Sequence, residues 1–247
     1  MFRGPQQIRD AYRNDAVAKG YLAQRFREPL GALLHAAQAA VLRRELARAR
    51  PATALEIAPG PARLTFEAAA AFRGTAVALD ASAQMLHEAR SRLAAAGHTS
   101  FRFVHGDAFA LPFRACFDFA YTFRFIRHFE SDDRRRIYAE LARVLRPGGR
   151  LLFDAVNERV SAALRAAAPG EYKHFDALHR PDGLRNELQA AGFRVLSLEG
   201  VQHRYALLQR VQILVAPRSR ALARLLMEVV DRCGGEPLEW IVTCVRA

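Results

Sequence analysis

The sequence predicts an α/β fold: a doubly wound, mostly parallel seven-stranded sheet with helices on both faces. A helical N-terminal cap precedes it, and a helical insertion sits before the last strand. Three observations carry this reading. Short apolar strand-like runs alternate with helical stretches from residue 51 onward, the pattern of right-handed crossovers. The run Leu55-Glu56-Ile57-Ala58-Pro59-Gly60-Pro61-Ala62-Arg63-Leu64-Thr65 reads as a strand, a tight turn of small residues and a helix start, with Asp80 ending the next strand. No apolar run approaches the ~20 residues of a membrane span.

Taken in order, residues 6–50 are mostly helical, with Leu30, Leu33, Leu34, Val41, Leu42 and Leu46 at helical spacing, and Pro51 closes them. Strands are predicted near 53–58, 76–79, 100–104, 117–122 and 149–154, separated by helices near 62–72, 83–96 and 132–145. Pro147-Gly148-Gly149 punctuates the last helix-to-strand link. A helix over 181–191 leads through Gly192 into a strand at 193–199, and residues 239–245 alternate well enough to form a closing strand. The chain is read as one domain, 1–247, comprising a cap (1–50), a core (51–199), an insertion or lid (200–237) and a closing edge strand (238–247).

Half of the 247 residues are hydrophobic (51%) and a quarter charged (25%), which excludes a disordered chain. The start has no signal-peptide core, so a cytoplasmic location is expected. Cys116, Cys233 and Cys244 are too scattered for a disulfide framework or a zinc site. The net charge of +12 points toward nucleic acid or anionic membranes. However, only Lys19 and Lys173 are lysines, and arginine is spread throughout. That is a compositional bias rather than a binding stripe, and nucleic acid is not the favoured partner.

Backbone N–H groups at a helix N-terminus, with an acid ending the adjacent strand, suit a nucleoside ligand. One glycine in the turn, Gly60, is a weak signal alone. The later elements sharpen it: Asp80 followed by Ala81-Ser82-Ala83-Gln84-Met85-Leu86, then Gly106-Asp107-Ala108, Leu111-Pro112-Phe113, Phe117-Asp118 and Arg143-Val144-Leu145-Arg146-Pro147-Gly148-Gly149. In this order over residues 54–155, they resemble the class I S-adenosylmethionine-dependent methyltransferases, in the group acting on small molecules, quinones and lipids.

The resemblance implies a Rossmann-like core and a bound S-adenosylmethionine. It assigns Asp80 to the ribose hydroxyls, Met85 to the adenine face, and Asp107 to the adenine amino group with the Ala108 backbone beside it. Glu56 would hold the methionine amino group through water, and Ala58, Gly60, Ala81 and Thr122 would complete the cofactor site. Each has a plainer reading: Asp80 as a helix cap, Met85 as core, Asp107 as a turn residue. Ala58 and Ala62 replace the family's glycines, which let the backbone come close to the ligand. A methyl is the smallest group that can crowd it, so altered cofactor affinity rather than its loss is expected. The closing strand is expected to run antiparallel at the sheet edge.

Methyl transfer needs an acceptor in attack geometry and, where it carries a proton, a base. The segment Thr122-Phe123-Arg124-Phe125-Ile126-Arg127-His128-Phe129 should supply both. His128 is the candidate base, with a helix cap or a solvent-facing residue as the plainer alternatives. Arg124 and Arg127 are candidates for an anionic substrate or the cofactor carboxylate, or for pairing with surface acids. The Asn/Asp-Pro-Pro-aromatic signature of base-amine methylation is absent, and no metal is expected. Tyr12, Tyr21, Arg25 and Phe26 resemble the family's cap, Tyr21 being a candidate substrate contact; Tyr172, His174, His203 and Tyr205 are further lining candidates.

In the insertion, Ser219–Arg232 puts Leu222, Leu225, Leu226, Val229 and Val230 on one face, with Arg218, Arg220 and Arg224 nearby. This is either a docked helix or a basic surface for peripheral membrane contact. The leading function is methyl transfer to a small-molecule acceptor by a monomer or homodimer. The alternatives are a methyltransferase for a prenylated quinone or other lipid, a non-catalytic S-adenosylmethionine-binding or RNA-associated protein, and a nicotinamide enzyme.

Overall fold

The computed structural model describes residues 28–172 and 175–247. Helix α1 (Pro29–Ala49) starts with proline at its first position and stops at Arg50, which turns left-handed (φ 43°) and donates its N–H to Leu46. Pro51 follows, where a helix cannot continue.

Strands and helices then alternate: β1 (Thr53–Ile57), α2 (Arg63–Ala71), β2 (Thr75–Asp80), α3 (Ala83–Ala95), β3 (Phe101–His105), β4 (Phe117–Thr122), a 3₁₀ turn (Ile126–His128), α4 (Ser131–Val144) and β5 (Leu145–Asn157). After β5 come α5 (Glu158–Ala167), the two-residue β6 (Leu178–His179), α6 (Pro181–Ala190), β7 (Phe193–His203), α7 (Tyr205–Leu214), α8 (Arg220–Arg232) and β8 (Pro237–Arg246). The strand order is β3-β2-β1-β4-β5-β8-β7, with β6 paired to β5. All pairings are parallel except those of β8. The seven expected strands make the continuous path, and β6 is an eighth.

Strand alternation builds both cores. Leu55, Ile57, Leu151, Phe153 and Val242 point to the side that packs α4 and α6 through Ile137, Leu141, Leu184 and Leu188. Ala54, Phe119, Tyr121, Leu152 and Ile241 point to the other side, against Leu42 and Leu46 of α1, Leu64 and Ala68 of α2, and Ala89 and Leu93 of α3. Burial on both faces explains why these strands read as nearly continuous apolar runs.

Three expectations are corrected. The closing strand is antiparallel but not at the edge: β8 lies between β5 and β7. Its run Trp240-Ile241-Val242-Thr243-Cys244 is buried throughout, as an interior strand requires, while β7 carries the exposed Arg194, Ser197 and Leu196 of an edge. Pro147-Gly148-Gly149 does not precede β5. It lies within it as a bulge, where the register with β4 jumps from Phe117↔Leu145 to Phe119↔Arg150. The sheet also runs on through His203, so the insertion begins at α7, and it holds two helices. Helix α5 and strand β6 were not anticipated. No helix among the described residues is long and apolar enough to cross a membrane.

Candidate active site

The carboxyl ends of β1, β2, β3 and β4 open onto one crevice, as expected for an open parallel sheet. Its floor is the turn after β1. Ala58, Gly60 and Ala62 all adopt left-handed backbone, with φ of 53°, 55° and 65°. A Cβ on Gly60 would meet no atom within 4 Å, so the turn is open there. The Ala58 N–H bonds to the Leu79 carbonyl (2.8 Å), and Arg92 of α3 holds the Pro61 carbonyl (2.7 Å).

The expected crowding by both alanine methyls divides in two. Ala62 is fully buried in the core beneath the turn and stays clear of the crevice, whereas Ala58 lines it. What both residues share is the backbone strain that glycine would avoid.

Asp80 closes β2 and accepts hydrogen bonds from the backbone N–H groups of Gly60 (3.3 Å) and Ser82 (2.9 Å). Burial pushes its carboxyl up to about 6, although those N–H groups pull the other way. The cap of α3 is Ser82, whose Oγ accepts from Met85 N–H, so Asp80 is not the capping residue. Glu56, on β1, is buried, and its Oε2 accepts from the Tyr121 hydroxyl at 2.9 Å. Burial pushes Glu56 up to about 7, against the Thr65 and Tyr121 hydroxyls. One buried and one half-buried carboxyl, both with raised pKa values, make the crevice receptive to a cation or to hydroxyl donors.

Asp107 forms an Asx turn, accepting from Phe109 N–H at 3.0 Å, and lines the crevice with Ala108. Ala81 lines it too, and Met85 is both a core residue of α3 and part of the wall. Thr122 does not reach the crevice. Its hydroxyl donates to the Ile57 carbonyl at 2.7 Å in the sheet, a buried bond between β1 and β4.

Beyond β4, Arg124 turns left-handed (φ 58°) and donates its N–H to Asp154. Arg124 and His128 line the crevice with Phe109, Phe123, Phe125 and Phe129. Phe129 packs edge-on against Phe109 and Phe125, at centroid distances of 5.3 and 4.9 Å.

Arg127 is corrected outright. It is buried outside the crevice wall, bonded to Asp154 (3.1 Å), Glu239 and Asp176 (2.9 Å). Burial opposes its charge, but Glu239, Asp176 and Asp154 outweigh that and hold its pKa well above the ordinary value. The acids are interior ones, not the surface acids expected. Glu239 Oε2 has no hydrogen-bond partner among the described residues.

Of the other lining candidates, His203 is tied to Asp231 (3.0 Å), and Tyr172 lies under Arg165 at 4.6 Å. Tyr205 neighbours Tyr172, Glu239 and Arg124, and burial pushes its hydroxyl up to about 12. Tyr12, Tyr21, Arg25, Phe26 and His174 lie outside the described residues. Sequence reasoning missed Arg63, which lines the crevice from the start of α2, braced by His35 (2.9 Å) and Gln38 (2.6 Å). It also missed the phenylalanine wall, although the spacing of Phe123, Phe125 and Phe129 was available as a signal. Asp176 had no sequence signal at all.

Residues 54–149 match the family described as methyltransferase domain. The malonyl-[acyl-carrier protein] O-methyltransferase of Methylococcus capsulatus is 34% identical over 153 residues, covering 60% of this chain and 54% of that protein. The O-methyltransferase cnsE of Penicillium expansum is 31% identical over the same length and shares. The chain thus spans about half the length of the curated relatives it matches. Among solved structures, magnesium protoporphyrin IX methyltransferase from Synechocystis PCC 6803, crystallised with bound SAH, superposes with a TM-score of 0.70. The match covers 98% of this chain and 99% of that one at 12% identity, a likeness of fold alone. By sequence, residues 54–149 match the methyltransferase-domain family, and by fold the chain is similar to a methyltransferase crystallised with bound SAH.

Proposed function

We propose that the chain binds S-adenosylmethionine in this crevice and transfers its methyl group to a small-molecule acceptor. The observation that carries the reading is the convergence of Glu56, Gly60, Asp80, Met85, Asp107 and Ala108 on one crevice at the strand ends. The donor set fits the cofactor. An open glycine turn admits the close approach of a polar chain, Asp80 and Glu56 accept from hydroxyl and ammonium groups, and Met85 offers an apolar wall. When bound, S-adenosylmethionine supplies a sulfonium methyl that is already electrophilic.

The chain's part is therefore positioning and proton removal. Asp80 and Asp107 orient the nucleoside end, and Glu56 holds the amino-acid end. Phe109, Phe125 and Phe129 keep water from the acceptor, and His128 takes the acceptor's proton. Arg124 is placed to meet an anionic acceptor. An oxygen acceptor is supported by the names of both curated relatives. A cytoplasmic location belongs to the same reading.

Calorimetric titration with S-adenosylmethionine, S-adenosylhomocysteine and NADH tests it. Binding of the two sulfur nucleosides alone is expected. Binding of NADH alone, or of none by a folded and ligand-stripped protein, refutes the reading.

A second reading, a lipid or prenylated-quinone acceptor met at a membrane, is favoured by one observation. Leu222, Leu225, Leu226 and Val229 of α8, with Ile213 and Leu214 of α7, are exposed rather than turned inward. Flotation with anionic liposomes that is lost in Leu225→Glu would favour it, and no flotation by the parent protein would remove it.

A further inference from the structure

His128 ends the 3₁₀ turn beside the crevice, and its ring is held on the side of Nδ1. That nitrogen lies 2.9 Å from the carbonyl oxygen of Phe175 and 3.0 Å from Asp176 Oδ1. A carbonyl oxygen only accepts, so Nδ1 carries the hydrogen, and in the neutral ring the lone pair then lies on Nε2. Asp176 is itself fixed. Arg127 reaches it through Nε (2.9 Å) and Nη2 (3.3 Å), and Arg165 adds a third bond. The Ala177 N–H donates to the Arg127 carbonyl at 2.6 Å, which pins residues 175–177 against the 3₁₀ turn. Burial pushes the Asp176 carboxyl up, but Arg127 and His128 hold it well below the usual carboxylate range, so it is a permanent anion.

We propose that Asp176, together with the Phe175 carbonyl, is the positioning partner of His128 as general base. This rests on the methyltransferase reading above. In the step, the acceptor's bond to hydrogen breaks and its proton passes to Nε2. The electron pair on the acceptor atom forms the new bond to the methyl carbon. The bond from that carbon to the sulfonium sulfur breaks, leaving its electrons on sulfur. One positive charge enters on the sulfonium and one remains on the imidazolium, so charge balances and moves toward His128. A carboxylate already fixed 3.0 Å from Nδ1 stabilises that new charge without reorganising. Arg127 therefore acts at one remove: it holds the group that holds the base.

The test is nitrogen–proton correlation spectroscopy of the histidine rings in isotopically labelled full-length protein, with His128→Gln assigning the signal. Wild-type protein at neutral pH should carry its His128 hydrogen on Nδ1, far downfield, with Nε2 unprotonated. In Asp176→Asn that proton should move upfield, while S-adenosylhomocysteine affinity stays within about twofold. Finding the hydrogen on Nε2 in wild type, or an unmoved Nδ1 proton in folded Asp176→Asn, overturns the proposal. The wild-type measurement stands even if the variant fails to fold. If wild type binds no S-adenosylhomocysteine, the methyltransferase reading has failed. If it binds but the ring holds the other tautomer, only the Asp176 assignment has failed.

Discussion

Glu56→Gln should make the ligand-free protein more stable and its cofactor grip weaker. The Glu56 carboxyl is 4% exposed, and burial moves its pKa from 4.5 to about 7. A carboxyl whose pKa is raised by folding is held at no cost below its unfolded value. Its ionisation opposes folding increasingly as pH rises through the folded value. The shift corresponds to about 3 kcal/mol of destabilisation once pH exceeds 7. Glutamine removes that penalty. Its carbonyl can still accept from Tyr121, and its amide can donate to the neighbouring Thr65 hydroxyl. Imperfect geometry in these bonds returns about 1 kcal/mol, leaving a net gain of about 2 kcal/mol at pH 8.

Urea unfolding of both proteins without ligand, between pH 5 and pH 8, reads this directly. The stability difference should be small at the acid end and widen by about 2 kcal/mol toward pH 8. In parallel, affinity for S-adenosylmethionine should fall by roughly tenfold, since glutamine cannot neutralise an ammonium group. A pH-independent difference, or one that narrows as pH rises, would show that Glu56 is not a buried, strained acid and would refute the electrostatic account of the crevice.

Three further outcomes follow from neighbouring features. Ala58→Gly relieves left-handed backbone at about 1–2 kcal/mol, less about 0.5–1 kcal/mol of added unfolded-state entropy, so thermal melting should rise by up to roughly 4 °C. Ala62→Gly should gain less, because it also gives up a buried methyl worth about 0.8 kcal/mol. Unchanged or lower melting in both would contradict the strain. Asp80→Ala should cost roughly 1–3 kcal/mol of S-adenosylmethionine binding, measured by calorimetry, and unchanged affinity would remove Asp80 from the site. His179 is 7% exposed, and burial, with Arg134 nearby, lowers its pKa to about 4. A histidine pKa lowered by folding gives stability that is full above the unfolded value near 6.5 and is lost as pH falls through 4. Acid unfolding between those values should therefore cost about 3 kcal/mol, and His179→Gln should flatten that slope. An equal slope in the variant would exclude His179 as its source.

The sheet was legible in the sequence because its signal is local. Val77-Ala78-Leu79 and Phe117-Asp118-Phe119-Ala120-Tyr121-Thr122 can be read as strands without knowing their neighbours, and turn chemistry marks their ends. Strand order is not local: residues 239–245 read as a strand by themselves, but nothing in them says that they lie between β5 and β7. The cofactor side of the crevice was legible for a related reason. Glu56, Gly60 and Asp80 lie close in sequence, at the ends of two adjacent strands whose register brings Ile57 opposite Leu79.

The acceptor side was not, and Arg127 shows why. An arginine in a loop after a strand looks the same in sequence whether it faces substrate or the interior. Its role is decided by Asp154, Asp176 and Glu239, which arrive from β5, from the segment before β6 and from β8, the last of them 112 residues away. Two of these acids also set the positions of Arg124 and His128, Asp154 through a bond from the Arg124 N–H and Asp176 through His128 Nδ1. A strand recruited between β5 and β7, rather than left at the rim, is what carries Glu239 to Arg127. The interior place of β8 and the inward turn of Arg127 therefore go together, since β8 carries one of the three carboxylates that Arg127 meets.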